Sequence, residues 1–100
     1  MPFRACTVAF RDASGFRHTT TVEGETVYEA AVYAVVWWRA ARGSRPPRLD
    51  DVMEITAKDS PTTHRVTLAT IHTWLLDSTG RTRDEVERKK KLRRLLAHRR

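Results

Sequence analysis

One hundred residues with 40% apolar side chains, three Trp among them, make a single small domain that can bury its own core without a disulfide or metal staple. The formal net charge of +7 is not spread along the chain: the last twenty residues hold ten Lys and Arg against three acids, while the other eighty balance nine bases with nine acids. A lone cysteine, Cys6, excludes a disulfide framework, and the longest apolar run, Ala30 to Trp38, is under half the ~20 residues a membrane span needs.

An N-terminus of Met1-Pro2-Phe3-Arg4 lacks the apolar segment of a signal peptide. With the free thiol, this leads to the expectation of a cytoplasmic protein that uses no membrane.

In chain order, residues 4–23 read as a β-hairpin. Cys6, Val8 and Phe10 alternate with Thr7, Ala9 and Arg11, the period of a half-buried strand. Asp12-Ala13-Ser14-Gly15 supplies the turn, and the return arm sets Phe16, His18, Thr20 and Val22 on one face. Thr26 and Glu29 then form a capping box before a helix expected over 26–42, with Gly43 as its C′ residue and Pro46-Pro47 preventing resumption. One helix face, Val27, Ala31, Ala34, Val35 and Trp38, suits a sheet. The opposite face carries Tyr33, Val36, Trp37 and Ala40, apolar where a two-layer fold would show charge. Either the C-terminal helix or a second copy of the chain must cover it, which makes Tyr33, Val36 and Trp37 a candidate partner interface.

A third strand is expected over 49–58, with Leu49, Met53, Ile55 and Ala57 on its apolar face, and a fourth over 64–68 after a turn at 59–61. The spacing of Ile71, Trp74 and Leu75 predicts a short helix over 70–77, broken by Ser78-Thr79-Gly80. Thr82 and Glu85 form a second capping box, opening a final helix over 83–98 on which Leu92, Leu95 and Leu96 share one arc. The expected architecture is α+β, in the order β-β-α-β-β-α-α. Its four-stranded sheet is packed by the central helix, with a body over 1–80 and a basic C-terminal helix over 81–100 in the same domain.

The hairpin–helix segment, from Asp12-Ala13-Ser14-Gly15 to Gly24-Glu25-Thr26-Val27-Tyr28-Glu29-Ala30-Ala31, resembles the β-grasp arrangement of ubiquitin-like and ferredoxin-like domains. The cluster-binding cysteines of such ferredoxins have no counterpart here. Phe10-x-Asp12-x-x-Gly15 followed by Gly24-x-Thr26-x-x-Glu29-Ala30 is also similar to the HicB-type antitoxin pattern. Its glycines are more widely spaced than in that pattern, and Arg11 stands where a proline is usual. Both likenesses concern shape, and shape does not carry function.

Chemistry-bearing motifs are sparse. No G-x-S-x-G, P-loop or G-x-G-x-x-G is present, so no enzyme and no cofactor are expected. His18, His64, His72 and His98 are scattered without zinc-ligand spacing, which argues against a metal. His18 falls in the apolar register of its strand, Cys6 reads as a buried small hydrophobe, and Asp50-Asp51, opening a strand, point to opposite faces.

The basic helix carries the functional expectation: Arg88, Lys89, Lys90, Lys91, Arg93 and Arg94 are candidate contacts to nucleic-acid phosphates, giving affinity without sequence information. The excess of Arg (15) over Lys (4) points to a GC-rich bacterial genome, yet three of the four lysines fall at 89–91. The rival expectation is a protein-interaction or homodimerising module in which that helix is structural.

Overall fold

A computed structural model describes residues 4–41, 46–59, 62–77 and 82–97. Its elements run β1 (Arg4–Arg11), β2 (Arg17–Gly24), α1 (Val27–Ala40), β3 (Val52–Ala57), β4 (Thr63–Thr67), α2 (Leu68–Leu76) and α3 (Arg83–Ala97). The four strands form one antiparallel sheet in the order β2-β1-β3-β4, so the α+β class and the β-β-α-β-β-α-α order hold.

The hairpin is closed by side-chain and backbone chemistry at Asp12. Its Oδ1 accepts from the amides of Ser14 (2.9 Å) and Phe16 (3.1 Å), and its own amide donates to the Phe16 carbonyl (2.9 Å). Gly15 takes φ +89°, which an L side chain rarely adopts. Phe16 sits in this turn, 70% exposed, and does not join the inner face of β2.

The sheet's inner face presents Cys6, Val8, Phe10, Met53, Ile55 and Ala57, all buried. Against it α1 lays Ala31, Ala34, Val35 and Trp38, the stripe its periodicity indicates, and Trp38 meets Phe10 edge-on at 4.7 Å. Gly24 makes this packing possible: a Cβ there would lie 2.9 Å from the Ala30 amide nitrogen. The outer sheet face is left to solvent, with Thr19, Thr21, Glu23, Thr63 and Arg65 exposed.

Boundaries differ from the sequence expectation by one residue at several strand and helix ends and by more at three places. β3 begins at Val52 because Arg48 to Asp51 form a turn, with the Arg48 amide donating to Asp51 Oδ2 at 2.7 Å. Leu49 is therefore 57% exposed instead of joining the core, and Asp50-Asp51 precede the strand. Leu68 opens α2 instead of closing β4, because Thr67 caps that helix: its Oγ1 accepts from the Thr70 amide at 3.1 Å. The central helix ends at Ala40 rather than 42, the Ala41 amide closing it on the Trp37 carbonyl (3.0 Å). Gly43, Ser60-Pro61, Ser78-Thr79-Gly80 and His98, to which turns, caps or helix ends were assigned, lie outside the described residues.

The helices α2 and α3 complete the same core, through Leu68, Ile71 and Leu75 from one and Leu92 and Leu96 from the other. Among the described residues no helix is long and apolar enough to cross a membrane.

Candidate nucleic-acid interface

The helix α3 starts as its sequence indicates, with Thr82 Oγ1 accepting from the Glu85 amide at 3.2 Å. Its buried side chains are Lys89, Leu92 and Leu96, with Leu95 half-buried beside them. A lysine therefore belongs to the docking stripe. Positions 89, 92 and 96 stand at i, i+3 and i+7, so whatever buries the leucines buries Lys89 too.

That docking divides the six candidate phosphate-binding cations into two groups. Arg88, Lys89 and Arg93 turn into the body. Lys89 is 4% exposed, and its ammonium donates to the carbonyls of Trp74 (2.8 Å) and Asp77 (2.6 Å). It also lies 4.8 Å from the centroid of the Trp74 ring, a cation–π contact. Arg93 Nη1 donates to the Leu75 carbonyl at 2.7 Å. All three acceptors lie at the C-terminal end of α2, where the dipole favours positive charge, and the Trp74 carbonyl accepts from the Asp77 amide as well (3.2 Å). The last turn of α2 holds no basic residue of its own, so α3 supplies both cations.

Arg88 reaches the start of α1. Its two Nη atoms bridge the Glu25 carboxylate, Nη2 to Oε1 at 3.0 Å, and its Nε lies 3.6 Å from Glu29 Oε2. Glu29 is buried, and its other oxygen accepts from the Glu25 amide at 3.1 Å. The capping box is thus real on the Thr26 side, where Oγ1 accepts from the Glu29 amide (3.1 Å), but Glu29 reaches back one residue further than Thr26. Hydrogen bonding to Arg88 holds the Glu25 carboxyl below its ordinary range. In return, Arg39 of α1 donates to the Leu96 carbonyl at the far end of α3. Each end of the helix contact is tied by an arginine.

Lys90, Lys91 and Arg94 are exposed and form no ion pair among the described residues. By helical phase they share the outward side of α3 with Glu87. The six-residue cationic block is therefore three structural cations and three outward ones.

The candidate partner interface divides similarly. Tyr33 and Val36 are half-buried against the core, while Trp37 remains 58% exposed. Burial pushes the Tyr33 hydroxyl pKa up, with nearby Glu29 adding to it.

Elsewhere, His18 Nε2 lies 2.8 Å from Asp12 Oδ2 and its ring stacks on Phe10 at 4.8 Å, a packed histidine at the sheet edge. Among the described residues no three of His, Cys, Asp and Glu come together as a metal-binding group. Cys6 is buried, and burial raises its thiol pKa, with Asp59 contributing in the same direction. Sequence reasoning missed Glu25, Glu29, Trp74 and Asp77 as partners of the basic helix. The available signal was the phase of Lys89 with Leu92 and Leu96. No protein-family model matches this chain, and neither a curated protein nor a solved structure is significantly similar to it.

Proposed function

We propose that this chain is a small, non-catalytic, cytoplasmic binding protein that contacts nucleic-acid phosphates through the outward side of α3, by Lys90, Lys91 and Arg94. What supports the reading is the division of the cations: these three are exposed on a docked helix and form no ion pair among the described residues, with Glu87 the acid on their side. A docked helix presents its charges in a set geometry and loses little further conformational entropy on binding. Three phosphate contacts at ~0.9 each give a salt slope of about −3 on duplex DNA, against about −5 if all six cations took part.

Filter binding of duplex DNA across a salt series tests this. Lys90→Gln, Lys91→Gln and Arg94→Gln combined should flatten the slope and leave the melting temperature unchanged. Wild-type affinity weaker than millimolar at low salt, or indifferent to salt, removes the proposal.

A second reading, a protein-interaction module in which the helix is structural, is favoured by the inward commitment of Arg88, Lys89 and Arg93. The triple variant separates the two, because deleting α3 would expose the core that Leu92 and Leu96 complete. A folded triple variant that no longer binds DNA supports phosphate contact, and one that binds as the wild type does supports the structural role.

A further inference from the structure

Among the described residues the strand β2 is an edge of the sheet: its strand neighbour is β1, and the register from Arg4↔Gly24 to Arg11↔Arg17 runs without a bulge. An edge strand offers a row of unpaired amides and carbonyls, and proteins commonly blunt such edges with proline, charged side chains, bulges or short strands. The eight residues of β2, Arg-His-Thr-Thr-Thr-Val-Glu-Gly, hold no proline, lysine or bulge, and their two charges, Arg17 and Glu23, stand near opposite ends with opposite signs. The opposite edge, β4, has five residues and runs directly into α2.

Which groups face outward follows from the hairpin. The Asp12 amide bonds to the Phe16 carbonyl, and antiparallel bonding alternates, so the even-numbered residues of β2 bond to β1. The amides and carbonyls of Arg17, Thr19, Thr21 and Glu23 therefore point away from the sheet. Their side chains all lie on the outer, solvent face, and all four residues are exposed.

This row is self-complementary. Laid antiparallel against a second copy with the two-fold axis at Thr20, Arg17 opposes Glu23, Thr19 opposes Thr21, and His18 opposes Val22 of the second copy. Every outward backbone group then meets an outward group, for about eight hydrogen bonds. Both ends of the ladder close with a charge pair. Moving the axis to Thr19 or Thr21 leaves Arg17 opposite a threonine or beyond the strand end, and parallel pairing sets like charges side by side. Glu23 has no ion pair among the described residues, and its partner on β1 is Ala5, so its charge is available. Arg17 reaches Glu54 with one Nη at 3.2 Å, leaving its remaining N–H donors for a second carboxylate.

We propose that two copies of this chain associate edge to edge through antiparallel pairing of β2, making a continuous eight-stranded sheet with its two-fold axis at Thr20. The interface is a backbone ladder with polar side chains, so the dimer is reversible and concentration-dependent. It uses neither α3 nor its outward cations, and stands apart from the nucleic-acid reading.

Sedimentation equilibrium of the nucleic-acid-free full chain, from micromolar to near-millimolar concentration at 150 mM salt, reads the mass. The expected result is a rise from 11.6 kDa toward about twice that value. Glu23→Arg alone and Arg17→Glu alone each place like charges at both ends of the ladder and should weaken the dimer roughly ten-fold or more. An equimolar mixture of the two variants restores opposite charges at both ends and should dimerise again. Circular dichroism of each variant verifies the fold, and Thr19→Pro, which removes an outward amide, gives an independent block of the same edge. A wild-type chain that remains 11.6 kDa throughout overturns the proposal. So does a dimer that both charge reversals leave intact, since it would use another surface.

Discussion

The Lys89 ammonium lies 4.8 Å from the centre of the Trp74 ring and donates to the carbonyl of the same residue at 2.8 Å. One lysine thus packs against a side chain of α2 and caps that helix's C-terminal end. The Trp74 ring in turn meets Tyr28 of α1 edge-on at 5.3 Å, so this contact joins three helices.

Lys89→Ala removes a charged donor from the Trp74 and Asp77 carbonyls and the packing of a buried side chain, although the Trp74 carbonyl keeps the Asp77 amide and the Asp77 carbonyl lies at an exposed helix end. We expect a loss of about 1–2 kcal/mol in urea denaturation. Lys90→Ala, one residue on and exposed, should stay within about 0.5 kcal/mol of wild type. Equal effects would mean that Lys89 does not cap α2.

Arg88 is the cation facing a buried carboxylate. Arg88→Ala leaves Glu29 buried without its positive partner, a situation that destabilises strongly when one member of a buried pair is removed. Because Arg88 is itself partly exposed, the expected cost is about 2 kcal/mol, below the ~3–5 kcal/mol of a fully buried pair. Combining it with Glu29→Gln should recover part of the loss, and a double-mutant cycle in denaturant measures the coupling.

Gly24 allows the close approach of β2 to the first turn of α1. Gly24→Ala puts a methyl group 2.9 Å from a backbone nitrogen in a helix that cannot move alone, so overpacking should cost about 1–3 kcal/mol. An unchanged melting temperature would mean that β2 and α1 can separate without loss.

Three carboxylates titrate below their ordinary range: Asp12 through its bond to His18, Glu25 through Arg88, and Glu54 through Arg65 and then Arg17. A pKa lower in the folded than in the unfolded chain means that the unfolded chain takes up protons first as pH falls. Their contribution is complete above the unfolded carboxylate pKa, about 4, and is lost as pH falls through the lower folded values. Denaturation midpoints should be flat from about pH 7 to 5 in this respect and decline on further acidification. Glu54→Gln should reduce the steepness of that decline.

Much of the architecture is legible in the sequence because its signals are local. Alternation in β1, the Thr26 and Thr82 caps and the apolar phase of α1 each depend on a few neighbouring residues, and each appears where the pattern indicates. The boundaries that shifted lie where two local signals compete. Leu68 satisfies the alternation of β4 and equally the first turn of α2, and the hydroxyl of Thr67 decides in favour of the helix. Leu49 continues the period of β3, but the turn bonded between Arg48 and Asp51 takes it out of the sheet.

The basic helix is the harder case. Charge is visible in a sequence, whereas what neutralises or hydrogen-bonds it sits elsewhere in the chain. Arg88 and Glu25 are 63 positions apart, and Lys89 meets carbonyls, which every residue carries and no sequence pattern marks. By itself the sequence determined the class of fold, the extent and caps of the long helices and the concentration of charge at the C-terminal end. The tertiary structure alone decided which of those charges point inward. That choice depends on the docking of α3 between α1 and the C-terminal end of α2, and long-range docking energies have no local signature.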